Sequence, residues 1–222
     1  MQALCYNNTK TPTYLYFSRR FSGDSMEKKD LEKAFASNNG VLKTSQLAAL
    51  KIDSTDIKRL IKNGVIEKIK TGYYRFLTDN TSEAAIVARL FPDGVLWLNT
   101  ALFYYGYSDR TPMQWDIIIS KNASRSRFEI DYPHVSPFFV SPERLSYGVT
   151  TIEIDGCAMN ILDRDRLICE CLKYESDMDK ETFNKAVQAY LADTKKNIKN
   201  LLAYAKRRKA TKRVHDVIGV WL

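Results

Sequence analysis

Residues 40–76 read GVLKTSQLAALKIDSTDIKRLIKNGVIEKIKTGYYRF, and the spacing of their apolar side chains predicts two short helices, a tight turn and a hairpin. Thr44 or Ser45 is placed to cap a brief helix whose inner face is Leu47, Ala48 and Leu50. Lys51-Ile52-Asp53 makes the turn. Asp53 or Ser54 then caps a further helix that runs to Asn63 and closes on Gly64, in the left-handed position that ends many helices. At about 100° per residue, Ile57, Leu60 and Ile61 share one side of that helix, while Thr55, Lys58, Arg59 and Lys62 share the other. One face packs and the other presents cations. Val65–Ile69 and Tyr73–Phe76 flank Lys70-Thr71-Gly72 as a β-hairpin. These are the parts of a winged helix-turn-helix, whose second helix enters the major groove while the hairpin reaches the phosphates.

Before this stretch, Leu31, Ala34 and Phe35 recur at helical spacing between Glu27 and Ser37, and Asn38-Asn39-Gly40 ends that helix. Residues 1–25 lack a clear period, and Arg19 and Arg20 follow the apolar cluster Tyr14–Phe17 where a signal peptide would place its basic residues first. They are expected to be a disordered tail or an over-called start. After the hairpin, the polar run Thr78–Ser82 reads as a linker. The chain thus divides into 1–25, a DNA-binding domain over 26–78 and a carboxy-terminal domain over 79–222.

The charge follows this division. The 222-residue chain has a formal charge of +8, but residues 26–78 carry 11 basic and 6 acidic side chains, 79–179 carry 9 and 16, and 180–222 carry 11 and 3. An acidic middle between basic ends points to surfaces that meet a polyanion. Hydrophobic residues at 45% exclude disorder, and the longest nearly apolar stretch, Val95–Tyr107, is too short to span a bilayer. A cytoplasmic protein that does not use a membrane is expected.

The rest of the chain predicts a helix from Glu83 with Ile86, Val87, Leu90 and Phe91 inside, a strand over Val95–Leu98 and a small helix over Asn99–Tyr105. Strands follow at Trp115–Ser120, Arg127–Asp131 and Pro137–Ser141, and the Asp155-Gly156 pair joins Val149–Ile154 to Cys157–Ile161 as a hairpin. Asp163 caps a helix to Lys173, and the last 40 residues are helical. The loop bearing Lys121, Arg125 and Arg127, and the cluster Arg207, Arg208, Lys209, Lys212 and Arg213, are candidates for a second nucleic-acid contact. Solvated surface cations are the plainer reading of the loop, whereas for the terminal cluster a solvated helix end and a nucleic-acid contact stand as alternatives.

Neither GxxxxGK nor GxGxxG occurs, and Cys5, Cys157, Cys169 and Cys171 have no CxxC spacing, with only His134 and His215 to join them. No metal, cofactor or catalytic residue is expected. Asp163, Asp165 and Glu170 could suggest a divalent ion, but carboxylates at a helix start satisfy free N–H groups.

The run from Gly40 to Phe76 resembles the winged helix-turn-helix of AbiEi-type antitoxins, predicted transcriptional regulators of viral defence systems. The matching positions are Gly64, Val65-Ile66, Lys70-Thr71-Gly72 and Tyr73-Tyr74. DGVLWLNTALFYYGYSD, with Ala101-Leu102 and Gly106, and AMNILDRDRLICECLKY resemble later segments of the same family. The resemblance implies an α+β protein with an amino-terminal winged helix and an antitoxin-like carboxy-terminal α+β domain ending in a helical bundle. It further implies an abortive-infection toxin–antitoxin system of type IV. The protein would bind operator DNA upstream of its own operon and counteract a nucleotidyltransferase toxin without needing a stable complex with it. On this reading Thr44, Ser45, Thr55, Lys58, Arg59, Lys62, Lys68, Lys70, Thr71 and Arg75 contact DNA. The alternatives are a winged-helix regulator that senses a small ligand without a toxin partner and a nucleotide-dependent enzyme in the carboxy-terminal domain.

Overall fold

In the computed structural model, which describes residues 28–77 and 81–219, the chain forms two units, one up to Ala85 and one from Ile86. The expectations for residues 1–25 and for most of the Thr78–Ser82 linker lie outside the described residues. Both units mix helices and sheet, so the protein is α+β.

The first unit runs α1 (Lys28–Ala36), β1 (Val41–Lys43), α2 (Thr44–Ala49), α3 (Ser54–Lys62), β2 (Ile66–Lys70) and β3 (Tyr73–Phe76). Its antiparallel sheet has the order β1-β3-β2, with Leu42 opposite Tyr74 and Ile66 opposite Phe76. This is a winged helix. Leu31 and Phe35 of α1, Leu47 of α2, Ile57 and Leu60 of α3, and Ile66 and Phe76 of the hairpin form one apolar core, in which Phe35 meets Phe76 edge to face at 5.4 Å. Each such buried side chain is worth about 1.5–3 kcal/mol, and no single helix of this length would persist without them.

Two details of α2 differ from expectation. Thr44 and Ser45 are its first residues, while Lys43 holds the cap position and donates its N–H to Gln46 Oε1 at 2.9 Å. Ala48 is exposed, leaving Leu47 buried and Leu50 partly buried. A helix of six residues makes barely one and a half turns, so only one position faces the core squarely.

The second unit runs α4 (Glu83–Leu90, across the boundary), β4 (Val95–Leu96), α5 (Leu98–Tyr104), β5 (Trp115–Ser120), β6 (Val135–Val140), β7 (Val149–Ile154), β8 (Cys157–Leu162), α6 (Arg164–Lys173), α7 (Lys180–Ala192), α8 (Ile198–Arg208) and α9 (Thr211–Ile218). Its sheet has the order β6-β5-β4-β8-β7; β5 pairs parallel with β6 and β4 with β8, and the other pairs are antiparallel. The Asp155-Gly156 hairpin forms as expected, with both residues at positive φ. The strand expected over Arg127–Asp131 does not form. A 3-10 turn covers Arg125–Phe128 instead, because Phe128 stacks on Phe91 at 4.7 Å and Arg127 reaches back to Asp93 and to the Leu90 carbonyl. The strand that does form starts two residues early, at Val135. Trp97 has left β4 to pack its ring on Phe138 and Tyr174.

Around α6 gather α5, α7, α8 and α9, and all residues from Asp165 to Leu172 are buried. The charged members find partners within the unit, although Arg166 Nη1 has no hydrogen bond. Asp163 caps α6 by accepting from Arg166 N at 2.7 Å, and Asp165 accepts from the Tyr190 hydroxyl and from Asn197 N. Glu170, 1% exposed, accepts from Arg166 Nε at 2.8 Å and from Arg208 Nε and Nη2 at 2.6 and 2.9 Å, and Arg144 Nη2 lies 3.5 Å away.

Candidate nucleic-acid interface

The interface is built around α3. Asp53 starts the helix by accepting from Thr55 N and Asp56 N at 2.7 and 2.8 Å. Its end is a Schellman closure: Gly64, at φ +65°, donates to the Ile61 carbonyl and Val65 donates to that of Leu60. That reversal sends the chain directly into β2. With Ile57 and Leu60 buried, Thr55, Lys58 and Lys62 stand exposed along the opposite side. Ile61, expected inside, is 38% exposed because it lies at the edge of the apolar stripe. Arg59 is half-buried and pairs with Asp56 at 3.8 Å, which leaves less of its charge for a partner than the lysines retain.

The wing turns at Thr71 and Gly72, and its tip hooks onto the start of α2: Thr44 N donates to the Gly72 carbonyl at 3.0 Å. Exposed Thr44, Ser45 and Thr71 are therefore neighbours, although 26 positions separate Thr71 from Ser45 in the sequence. Lys68 is exposed and Lys70 half-buried, with a register shift between them. Arg75 is spent differently. Its guanidinium donates across the hairpin to Glu67 Oε2 at 3.1 and 2.9 Å. Lys51, absent from the expected set, is exposed in the α2–α3 turn at φ +59°. A lysine where glycine or asparagine is usual is the signal that sequence reading could have used.

The second unit sorts its cations more sharply. Lys121 is exposed, as is Arg125, whose guanidinium lies 4.6 Å from the Phe139 ring. Arg127 is bound to Asp93 at 2.5 and 2.9 Å, holding that carboxyl below its ordinary value. Arg207, Lys209 and Lys212 are exposed, and Arg207 lies 4.8 Å from the Tyr147 ring. Arg208 is buried against Glu170, out of reach of a surface phosphate, and Arg213 is paired with Glu175. The three described cysteines are buried; burial pushes Cys169 up to about 12 and raises Cys171 as well, so both stay protonated thiols at neutral pH. Among the described residues no helix is long and apolar enough to cross a membrane.

A helix with a cationic outer face, followed by an antiparallel wing and set on a core separate from that face, defines the DNA-binding class of winged helix-turn-helix modules. Residues 29–77 match a family model described as "Transcriptional regulator, AbiEi antitoxin". The resemblance read from Gly64, the wing turn and the paired tyrosines is borne out over that span, and the family is one of regulators. No curated protein matches the chain.

Proposed function

We propose that the protein is a DNA-binding transcriptional autorepressor and the antitoxin of an AbiE-like type IV toxin–antitoxin system, counteracting a nucleotidyltransferase toxin. The observation that supports this most is the coincidence, within the span matched to regulators, of exposed Lys58 and Lys62 on α3 with a wing bearing exposed Lys68 and Thr71. In this reading residues 26–78 bind the operator upstream of the protein's own operon. Thr55, Lys58 and Lys62 meet base edges and nearby phosphates, Arg59 joins them by exchanging Asp56 for DNA, and Thr44, Ser45, Lys68, Lys70 and Thr71 hold the backbone. Arg75 contributes only if Glu67 releases it. Residues 79–222 carry the antitoxic action, and Lys121, Arg125, Arg207, Lys209 and Lys212 are the cations still available for a second nucleic-acid contact.

The test is binding of the whole protein to its upstream DNA against a scrambled duplex of equal length, at two salt concentrations. A specific repressor prefers its operator by roughly a thousandfold or more, with affinity falling steeply with salt. Replacing Lys58 and Arg59 together by alanine should remove that preference. Unchanged affinity would show that α3 is not the reading helix. Where a nucleotidyltransferase toxin is encoded beside it, co-expression of this protein should relieve that toxin's growth arrest; failure to do so, or the lack of such a neighbour, would remove the antitoxin half of the proposal and leave the regulator.

A further inference from the structure

Behind the basic carboxy-terminal stretch the second unit holds a cleft of about 340 Å³, lined by Leu172, Lys173, Glu175, Ser176, Lys209, Ala210 and Arg213. Three cations face it against one carboxylate, and that carboxylate, Glu175, is already paired with Arg213. Lys173 donates to the Arg208 carbonyl at 2.6 Å, which ties the end of α6 to the α8–α9 elbow and fixes the cleft wall. The elbow itself is held in an unfavourable way. Lys209 sits at φ +55°, where glycine is usual, and it turns the chain so that Ala210, which has no side chain able to cap, begins α9 at the cleft.

The interior beside this wall is also charged. Arg208, next in sequence to Lys209, shares the single carboxylate of Glu170 with Arg166 and Arg144. Arg166 Nη1 is buried without a hydrogen-bond partner, its charge resting partly on the Tyr147 ring at 4.1 Å. The volume suits a small ligand.

We propose that this cleft binds a phosphate monoester. Lys209, Lys173 and Arg213 would neutralise the dianion, the Ser176 hydroxyl would donate to it, and Leu172 and Ala210 would form an apolar floor for whatever the phosphate is attached to. The phosphate could belong to a free small molecule or to the 5′-phosphorylated end of a nucleic acid. The proposal does not depend on operator binding by the first unit.

The experiment follows the backbone amides of Ser176, Thr211, Lys212 and Arg213 in the full-length protein by NMR during titration with adenosine 5′-monophosphate, with inorganic phosphate, and with adenosine at matched ionic strength. Saturable shifts with the first two and none with adenosine are expected. Lys209→Gly should weaken binding about tenfold while leaving Tm equal or higher, since it removes the charge and relieves the backbone together. Lys199→Glu, at an exposed site outside the lining, should leave binding within about twofold. Competition by duplex DNA carrying a 5′-phosphate, but not by the same duplex without it, would assign the phosphate to a nucleic-acid end, and the absence of such competition would assign it to a small solute. Shifts absent with both phosphates, equal with adenosine, or unchanged by Lys209→Gly would overturn the proposal.

Discussion

In the first unit Lys58, Lys62 and Lys68 stand in solvent above a wholly apolar core, whereas in the second Arg166, Glu170, Arg208 and Asp165 lie inside. A count of charges along the chain treats these alike, and they differ physically. A solvated lysine is available to a phosphate backbone. A buried arginine bound to Glu170 is committed to holding α6, α8 and the segment around Arg144 together. The buried charged residues of the second unit, Asp116, Asp165, Glu170, Arg166 and Arg208, sum to −1, so the net charge does not reveal which of its arginines reach solvent.

Glu170→Gln tests the contrast most severely. It leaves three arginines with a neutral partner and should cost about 3–5 kcal/mol, read by denaturant unfolding. A loss under about 1 kcal/mol would mean that the cluster is solvated like the surface pairs. Gly64→Ala should cost roughly 1–2 kcal/mol by forcing an L-residue to φ +65°, and should weaken operator binding because the wing starts there. Lys51→Gly has the opposite sign. Relief of the left-handed lysine should stabilise the first unit by about 0.5–1 kcal/mol, and if the Lys51 ammonium neutralises a DNA phosphate, its removal should make the salt slope shallower by about one unit.

Glu67→Gln should change stability by less than about 1 kcal/mol, because the hairpin pair is half-exposed. It frees Arg75, however, so affinity for scrambled duplex should rise and its salt dependence steepen by about one unit. The smallest effects concern acid. The Tyr107 hydroxyl at Asp193 and the Arg127 guanidinium at Asp93 hold both carboxyls below the ordinary 3.8. Their contribution is therefore complete above that pH and lost as pH falls through the depressed values, which unfolding measured between pH 5 and 2 would show.

The winged helix was legible because its signals are local. Asp53 caps, Ile57 and Leu60 pack, Gly64 reverses the chain, and each lies within a few residues of the structure it specifies. The cationic face of α3 followed from the same periodicity. The state of individual cations was less visible: Arg75 and Arg59 look like lysine's equals in sequence, and only the pairings with Glu67 and Asp56 separate them. In the second unit the hairpin at Asp155-Gly156 and the Asp163 cap were readable for the same local reason. The expected Arg127–Asp131 strand was not, since Phe91 and Asp93 decide that segment from more than 30 positions away.

Helical and strand periods, turn residues and caps are written into neighbouring side chains, so the residues alone dictated a winged helix with one basic face and an α+β remainder. Which charges face solvent depends on partners far along the chain, as when Arg208 reaches Glu170 across 38 positions. Burial raises the cost of an unpaired charge by removing water, and only the assembled fold supplies the carboxylate that meets it.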